Sequence, residues 1–251
     1  MEEALYEELQ QIENVHWWLV ARREIFLHFL RKAATEEGRP PLVLDCGFGT
    51  GGLIGNLADF AQPIGVDMQA RAVTDCRNQW GARVVQARAE ALPFKAGAFD
   101  IVCAFDVLEH LDDDIGALKH WFELLKPNGQ LFLSVPAYNY LWDAQDDLAN
   151  HKRRYLLGQL RGRLLEACFT IRKLTYFNTL LFPMVLSVRL MRKVQKMIRP
   201  ENMSLSDFSL TKPGRVNDLL MQVFISELKL LDRVSFPFGG SIFCIARRPK
   251  P

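Results

Sequence analysis

The chain contains 251 residues, of which 49% are hydrophobic and 24% are charged. That balance is typical of a globular protein long enough to bury a sizeable core. A formal net charge of +2 at pH 7 gives no argument for nucleic-acid binding. The five cysteines are scattered, without a CxxC pair or a Cys/His cluster, so the sequence indicates no zinc site.

The apolar segments are too short for export or for crossing a membrane. The first ten residues, MEEALYEELQ, are acidic and lack the apolar core of a secretory signal. The longest nearly uncharged stretch, 177–188, is interrupted by Asn178 and Pro183 and falls short of the roughly 20 residues that a transmembrane helix needs. We therefore expect a cytoplasmic protein that at most touches a membrane.

Helical and strand patterns alternate along the first half of the chain. Residues 2–36 have helical periodicity with a break near 14–16. Strands are then predicted at 42–45, 63–67, 83–86, 99–105 and 130–136. Helices are predicted at 51–60, 69–79 and 112–125, and a turn is predicted at 125–129. Strands that alternate with helices predict a parallel sheet with helices on both faces.

The pattern changes after Pro136. Residues 137–155 are polar and aromatic without a clear period, and the rest reads as a helix at 156–168, a strand at 169–177, helices at 179–199 and 215–231 around a loop at 200–214, and a strand at 241–248. We expect an α/β, Rossmann-like domain over 39–251, with an N-terminal helical cap over 1–38 and a helical insertion over about 179–231.

A glycine-rich segment, VLDCGFGTGG at 43–52, follows the first predicted strand. Gly47, Gly49 and Gly52 satisfy GxGxxG, and Asp67 lies 20 residues beyond Gly47 at the end of the next strand. This spacing is what a dinucleotide-binding site would show. A nicotinamide-dependent oxidoreductase is therefore one interpretation.

The same segment satisfies a second pattern, DxGxGxG, through Asp45, Gly47, Gly49 and Gly51. This pattern resembles the first motif of class I S-adenosylmethionine-dependent methyltransferases. Asp45 is a poor neighbour for a pyrophosphate but a good one for the ammonium of that cofactor, and glycine lets the backbone approach the ligand closely. Asp67 would accept ribose hydroxyls under either interpretation, so it does not discriminate between them.

The resemblance extends from about Leu42 to Pro136 and is supported by AEALPFKAGAFDIVCAFDVLEHLDD at 89–113, which is similar to the small-molecule branch of the family. It implies a seven-stranded sheet whose last strand is antiparallel. It also implies further contacts to the cofactor from Met68, Ala89, Glu90, Phe105 and Asp106.

Arg88 is the departure from the family pattern. That position is commonly Asp, which accepts from the adenine amino group, whereas arginine offers no acceptor. Either Glu90 or a backbone carbonyl takes the role, or Arg88 points to solvent. This departure keeps a third interpretation open, a non-catalytic relative that only binds a partner.

Two histidines are candidate catalytic bases, which methyl transfer needs only if the acceptor arrives protonated. His110 stands in Asp106-Val-Leu-Glu109-His110, which also resembles the ligands of metal-dependent members of the superfamily. Because the Glu-His pair is widespread in metal-free relatives, we expect no metal and keep Asp106, Glu109 and His110 as the alternative. His151 is the second candidate base.

His151 lies in a segment, 137–160, that is rich in functional side chains and resembles a subgroup block ending in D-x-x-x-H-x-R-R-Y. Arg153 and Arg154 could hold an anionic acceptor. The alternative is that Asp143 or Asp147 pairs with an arginine to fix the loop. The predicted substrate-binding residues are Trp17, Trp18, Tyr138, Trp142, Arg153, Arg154 and Tyr155, although the two tryptophans would equally serve to pack the cap.

A basic amphipathic helix is predicted at 181–200. Its five basic residues are Arg189, Arg192, Lys193, Lys196 and Arg199, and it contains no acidic residue. Such a helix either contacts a membrane surface or covers the acceptor pocket while its basic side is solvated. A lipid-like acceptor would reconcile the two, and together these patterns predict a methyltransferase that acts on a small-molecule or lipid-like acceptor at oxygen, with no nucleic-acid partner.

Overall fold

The computed structural model describes residues 3–198 and 213–250. The helices are α1 (Glu3–Ile12), α2 (Trp17–Glu37), α3 (Gly52–Leu57), α4 (Ala70–Trp80), α5 (Asp114–Leu124), α6 (Ala144–Leu148), α7 (Leu157–Glu166), α8 (Phe182–Ile198), α9 (Arg215–Ser226) and α10 (Leu228–Leu231). The strands are β1 (Leu42–Cys46), β2 (Gln62–Asp67), β3 (Arg83–Gln86), β4 (Phe99–Phe105), β5 (Leu125–Pro136), β6 (Thr170–Phe177) and β7 (Ser241–Arg247).

The strands form a seven-stranded sheet in the order β3-β2-β1-β4-β5-β7-β6. Strands β1 to β5 pair in parallel, and β7 runs antiparallel to both of its neighbours, β5 and β6. This arrangement confirms the expected α/β, Rossmann-like fold with an antiparallel last strand. Helices α8 to α10 lie between β6 and β7 in the chain, where the insertion is predicted.

The two faces of the sheet bury separate hydrophobic clusters because successive side chains of a strand point to opposite sides. On one face, Val43 and Ile101 pack with α2 and α9. On the other, Leu44 and Val102 pack with α5 and α7. Helix α2 therefore covers part of one face of the sheet, together with α9.

The predicted break near 14–16 lies where α1 ends and α2 begins. The side chain of His16 accepts a hydrogen bond from the backbone N–H of Trp18, so it caps the first turn of α2. A side chain that satisfies an otherwise unpaired backbone donor gives the second helix a defined start.

Three local predictions differ from the structure or fall outside it. The predicted turn at 125–129 belongs to β5, whose pairing with β4 shifts register near Phe99 and whose Asn128 has a left-handed φ of 68°. The predicted helix 215–231 is divided into α9 and α10. Most of the predicted loop 200–214, and Arg199, lie outside the described residues.

The parallel strands place their carboxyl ends at one edge of the sheet. Asp45 precedes the last residue of β1, and Asp67, Phe105 and Pro136 end β2, β4 and β5. In an open α/β sheet this edge is where ligands bind.

Candidate functional site

A cavity of about 1010 Å³ opens at this edge of the sheet. Its walls come from α1, α2, the loop after β1, the ends of β4 and β5, the segment 141–154, and helices α8 and α9. The volume is in the range of pockets that hold cofactors and small molecules. The glycine loop, the two candidate bases and the N-terminal tryptophans thus share one space.

The glycine loop adopts backbone angles that favour glycine. Gly47, Gly49 and Gly51 have φ values of 70°, 59° and 88°, in the left-handed region. A Cβ atom on Gly47 would lie 2.6 Å from a methyl group of Val107, whereas one on Gly49 would meet nothing within 4 Å. Gly47 is therefore needed for packing, and Gly49 leaves open space toward the cavity.

Asp45 lies at the base of this loop with an unsatisfied carboxylate. Its side chain is 3% exposed, it lines the cavity, and its Oδ2 has no hydrogen-bond partner among the described residues. Burial, with a further contribution from the charge of Asp67, raises the pKa of Asp45 to about 8. A buried carboxylate without a partner is costly, and a ligand cation would relieve that cost.

Asp67 holds the loop from the end of β2. Its Oδ2 accepts from the backbone N–H of Gly49 at 3.0 Å, and its Oδ1 accepts from that of Gln69 at 2.9 Å. Burial raises the pKa of Asp67, although these backbone hydrogen bonds oppose the shift. The carboxylate thus ties β2 to the glycine loop, a role that its position in the motif did not reveal.

The remaining predicted cofactor residues are spread along the edge. Phe105 and Asp106 line the cavity, whereas Gly51, Asp67, Met68, Ala89 and Glu90 lie outside its lining. Met68 is 62% exposed, and Ala89 offers its carbonyl to the indole N–H of Trp121 at 2.9 Å. Arg88 donates to Glu90 at 3.0 Å, so the residue that departs from the family pattern engages the proposed substitute acceptor.

Asp106 is committed to an ion pair inside the cavity. Its carboxylate pairs with Arg22 of α2, and Ser134 both accepts from Arg22 at 3.0 Å and donates to Asp106 at 3.1 Å. The guanidinium of Arg22 stacks 4.0 Å from the ring centroid of Trp18. Trp18 therefore lines the cavity with an arginine against its face, and Trp17, also in the lining, packs on Phe224.

A second polar cluster surrounds Asp146, which is fully buried. Its carboxylate contacts His151 Nδ1 at 2.7 Å, Arg154 at 2.7 and 2.9 Å, and Arg189 of α8 at 3.3 Å. Burial opposes its ionisation, but the hydrogen bonds from His151 and Arg154 outweigh burial and hold the pKa of Asp146 well below its usual range. Asp146 was not among the predicted site residues.

Glu109 faces the other side of His151. It is fully buried, and neither carboxylate oxygen has a hydrogen-bond partner in the part of the chain that the structure describes. Burial, followed by the charge of Asp106, raises the pKa of Glu109 well above its usual range. Its Oε1 lies 3.9 Å from His151 Nε2, so the imidazole stands between two acids.

His110 packs against His151 with ring centroids 4.8 Å apart. Burial, and then the neighbouring His151, lower the pKa of His110 to about 4. Potential ligand atoms of Glu109, His110 and His151 lie within 4.8 Å of one another. A cation site here would therefore be formed by Glu109, His110 and His151. The predicted alternative contained Asp106 where the geometry places His151.

Four predicted substrate-binding residues have other partners within the protein. Tyr155 is buried and donates to Asp114 at 2.8 Å, and Arg153 pairs with the same carboxylate at 3.1 Å. Trp142 donates to Asp147 at 2.9 Å. These three residues and Tyr138, which stacks between Tyr140 and Tyr176, lie outside the cavity lining.

Arg154 lines the cavity, but its donors are used within the protein. Besides Asp146, it donates to the carbonyl of Ala137 at 3.1 Å, and the residue is 7% exposed. A role for Arg154 in holding an anionic acceptor stays a prediction, and its guanidinium is engaged in a buried ion pair with Asp146.

The expectation that the basic side of α8 is solvated is wrong for Arg189 and Arg192. Arg189 and Arg192 turn inward and pair with Asp143 at 3.0 and 3.7 Å, so they are not solvated. Lys193 donates to the carbonyl of Tyr140. The side chain of Lys196, like Arg199, lies outside the description. The predicted pairing of Asp143 with an arginine is confirmed, and its partners come from α8.

Within residues 3–198 and 213–250, every helix is too short or too polar to cross a bilayer. The domain boundaries at residue 38 and near 179–231 stay predictions.

Comparison with known proteins identifies the fold and the cofactor class. Residues 44–133 match a family described as a methyltransferase domain. A Mycobacterium tuberculosis protein named as a probable S-adenosylmethionine-dependent methyltransferase is 30% identical over 162 residues, 63% of this chain and 57% of the relative. A ubiquinone biosynthesis O-methyltransferase of Xanthomonas axonopodis is 32% identical over 132 residues, 47% of this chain and 55% of the relative. The matches thus span little more than half of each relative.

Solved structures share the fold at low identity. An S-adenosylmethionine-dependent methyltransferase of Archaeoglobus fulgidus superposes with a TM-score of 0.57 at 18% identity, covering 90% of this chain and 94% of the other. The [4+2]-cyclase SpnF superposes with a TM-score of 0.55 at 20% identity, covering 85% and 76%. Since one neighbour is named a cyclase, the fold alone does not decide the reaction.

The family match and the named relatives confirm the predicted S-adenosylmethionine-dependent methyltransferase domain and its cofactor. The left-handed glycines and the unsatisfied Asp45 fit that cofactor, because its ammonium supplies the missing partner. The specific subgroup suggested by the D-x-x-x-H-x-R-R-Y block stays a prediction.

Proposed function

We propose that this chain, which contains an S-adenosylmethionine-dependent methyltransferase domain, transfers a methyl group to a hydroxyl oxygen of a small-molecule or lipid-like acceptor. The observation that carries the proposal is the buried carboxylate of Asp45, which has no hydrogen-bond partner among the described residues. It lies beside a left-handed glycine turn, in the same cavity as the imidazoles of His110 and His151.

Asp45 and the glycine loop would bind the amino-acid end of the cofactor. When bound, S-adenosylmethionine supplies an electrophilic methyl group on a sulfonium. The residues of the chain therefore have to align the acceptor and exclude water. An ammonium beside Asp45 favours the ionised carboxylate and pulls its pKa down from the raised value of the free protein.

His151 is the better candidate for the base. Its Nδ1 is held at 2.7 Å by Asp146, which leaves Nε2 to take the proton of an acceptor hydroxyl. Asp146 also stabilises the imidazolium that forms, as a positioning residue. His110 is a weaker base because its pKa is about 4, and its Nδ1 lies 3.3 Å from the carbonyl oxygen of Asn150, which accepts.

The apolar side of the cavity supports a lipid-like acceptor. Helix α8 contributes Met184, Val185 and Val188 to the lining, and α9 contributes Val216 and Leu220. Arg189 and Arg192 of α8 also reach the lining, but they are paired there with Asp143 and Asp146.

The exposed surface of α8 at and beside the cavity is also apolar. Leu190, Met191 and Val194 are each at least half exposed on α8. An exposed apolar surface of this kind can contact the apolar part of a lipid. We therefore include peripheral contact with a membrane in the proposal. The name of the Xanthomonas relative supports oxygen as the acceptor atom.

The test combines binding with product discovery. Calorimetry should show that S-adenosylhomocysteine binds and that NADPH does not. Mass spectrometry of host extracts incubated with methyl-labelled cofactor should then reveal a labelled, apolar product. His151→Ala should reduce its formation by about 10²-fold or more, whereas His28→Ala, on the surface of α2, should not. Binding of NADPH in place of S-adenosylhomocysteine would refute the cofactor site, and full activity of His151→Ala would refute the base.

A further inference from the structure

Glu13, in the turn between α1 and α2, places a carboxylate against the glycine loop. Its Oε1 accepts a hydrogen bond of 2.9 Å from the backbone N–H of Gly52. Glu13 lines the cavity together with Thr50 and Leu53, the residues on either side of Gly51 and Gly52. An acid that lines the cavity therefore occupies the backbone donor of Gly52, which itself lies just outside the lining, between Thr50 and Leu53.

Arg23 approaches the same point from α2. A Cβ atom on Gly52 would lie 2.3 Å from Glu13 Oε1 and 2.7 Å from Arg23 Nη1, so the two side chains converge there. Arg23 lines the cavity, and its buried Nε has no hydrogen-bond partner among the described residues. A guanidinium beside a backbone N–H is a donor set suited to a carboxylate.

The buried Asp45 lies in the same cavity and has the opposite requirement, a cation. The amino-acid end of S-adenosylmethionine carries both charges, an ammonium and a carboxylate. With Asp45 taking the ammonium, the carboxylate needs donors, and Arg23 and the N–H that Glu13 now occupies are two that lie together beside the cavity.

We propose that Glu13 is an internal mimic of the cofactor's carboxylate, which holds the Gly52 N–H in the free protein and is displaced when the cofactor binds beside Arg23. The inference rests on the proposed cofactor site. Two carboxylates cannot share one N–H without repulsion, so Glu13 weakens the binding of every ligand that carries the amino-acid end. S-adenosylhomocysteine has the same end, and Glu13 therefore also promotes release of this product.

Calorimetry with two ligands tests the proposal without an acceptor. S-adenosylhomocysteine carries the carboxylate, and 5′-methylthioadenosine shares the adenosine and sulfur but lacks the amino-acid end. Glu13→Gln and Glu13→Ala should bind S-adenosylhomocysteine roughly tenfold more tightly than the unmodified protein, because a charge-assisted hydrogen bond no longer has to be broken. Arg23→Gln should bind it roughly tenfold more weakly.

The affinity for 5′-methylthioadenosine should change less than twofold in these variants. Glu8→Gln, the same charge change on α1 outside the cavity lining, is the matched control and should leave both affinities unchanged. Glu13→Gln keeps the size of the side chain, and its thermal melt verifies that it folds.

An unchanged affinity of both Glu13 variants for S-adenosylhomocysteine, or an equal gain for 5′-methylthioadenosine, would overturn the role of Glu13. If the unmodified protein and the control bind neither ligand, the proposed cofactor site itself fails, and the inference fails with it. Tighter binding of only the ligand that has a carboxylate supports both.

Discussion

Replacing Asp45 with Asn should make the ligand-free protein more stable at alkaline pH. Asp45 is buried, one carboxylate oxygen lacks a partner among the described residues, and its pKa is raised from 3.8 to about 8. The folded state therefore keeps a proton that the unfolded state has already lost. Between pH 3.8 and about pH 8 the free energy of unfolding therefore falls as pH rises, and Asp45→Asn removes this loss of stability.

The size of this change in stability follows from the pKa shift of Asp45. Each pH unit between the two pKa values corresponds to about 1.4 kcal/mol. Between pH 5 and pH 8 the carboxyl of Asp45 should cost the folded state on the order of 4 kcal/mol, and Asn at this position should avoid most of that cost. The variant should lose cofactor binding at the same time, since a neutral amide cannot pair with an ammonium.

The assay is urea unfolding at pH 5, 6.5 and 8, with and without S-adenosylhomocysteine. The stability difference between Asp45→Asn and the unmodified protein should grow with pH, and the ligand should stabilise only the unmodified protein. Asp59→Asn, the same change at an exposed position, is the control. Parallel pH profiles for the unmodified protein and Asp45→Asn would refute the reasoning that burial of Asp45 raises its pKa.

Three further outcomes follow from the geometry. Asp146→Asn should cost about 3–5 kcal/mol of stability by chemical denaturation, because buried arginines lose their counter-charge; an unchanged midpoint would show that the cluster is not held by charge. Gly47→Ala should destabilise more than Gly38→Ala, since both have a left-handed φ but only the first meets a valine methyl at 2.6 Å; equal losses would mean that strain alone matters. By NMR the imidazole of His110 should stay neutral until about pH 4, and in His151→Ala it should titrate at a higher pH because a repelling neighbour is gone; an unshifted titration would remove that neighbour as a cause.

Much of the fold could be predicted from the sequence because its signals are local. Alternating strand and helix patterns indicated the parallel sheet, and a glycine after an acid at a strand end indicated the ligand loop at Gly47. The predicted turn at 125–129 falls inside β5, but the pairing with β4 jumps from Leu125 to Gln130 and Asn128 keeps a left-handed φ. The local turn preference therefore persists as an irregularity within the strand.

The sequence by itself determined which residues end the strands, and hence that Asp45, Asp67 and Asp106 meet at one edge. Only the tertiary structure decided what those and other charges do. Ion pairs such as Arg22 with Asp106 and Arg189 with Asp146 join residues far apart in the chain, and spacing within a motif carries no record of them. Burial supplies the physical reason: an acid removed from water needs a partner, which Arg22 provides for Asp106 and which Asp45 lacks among the described residues.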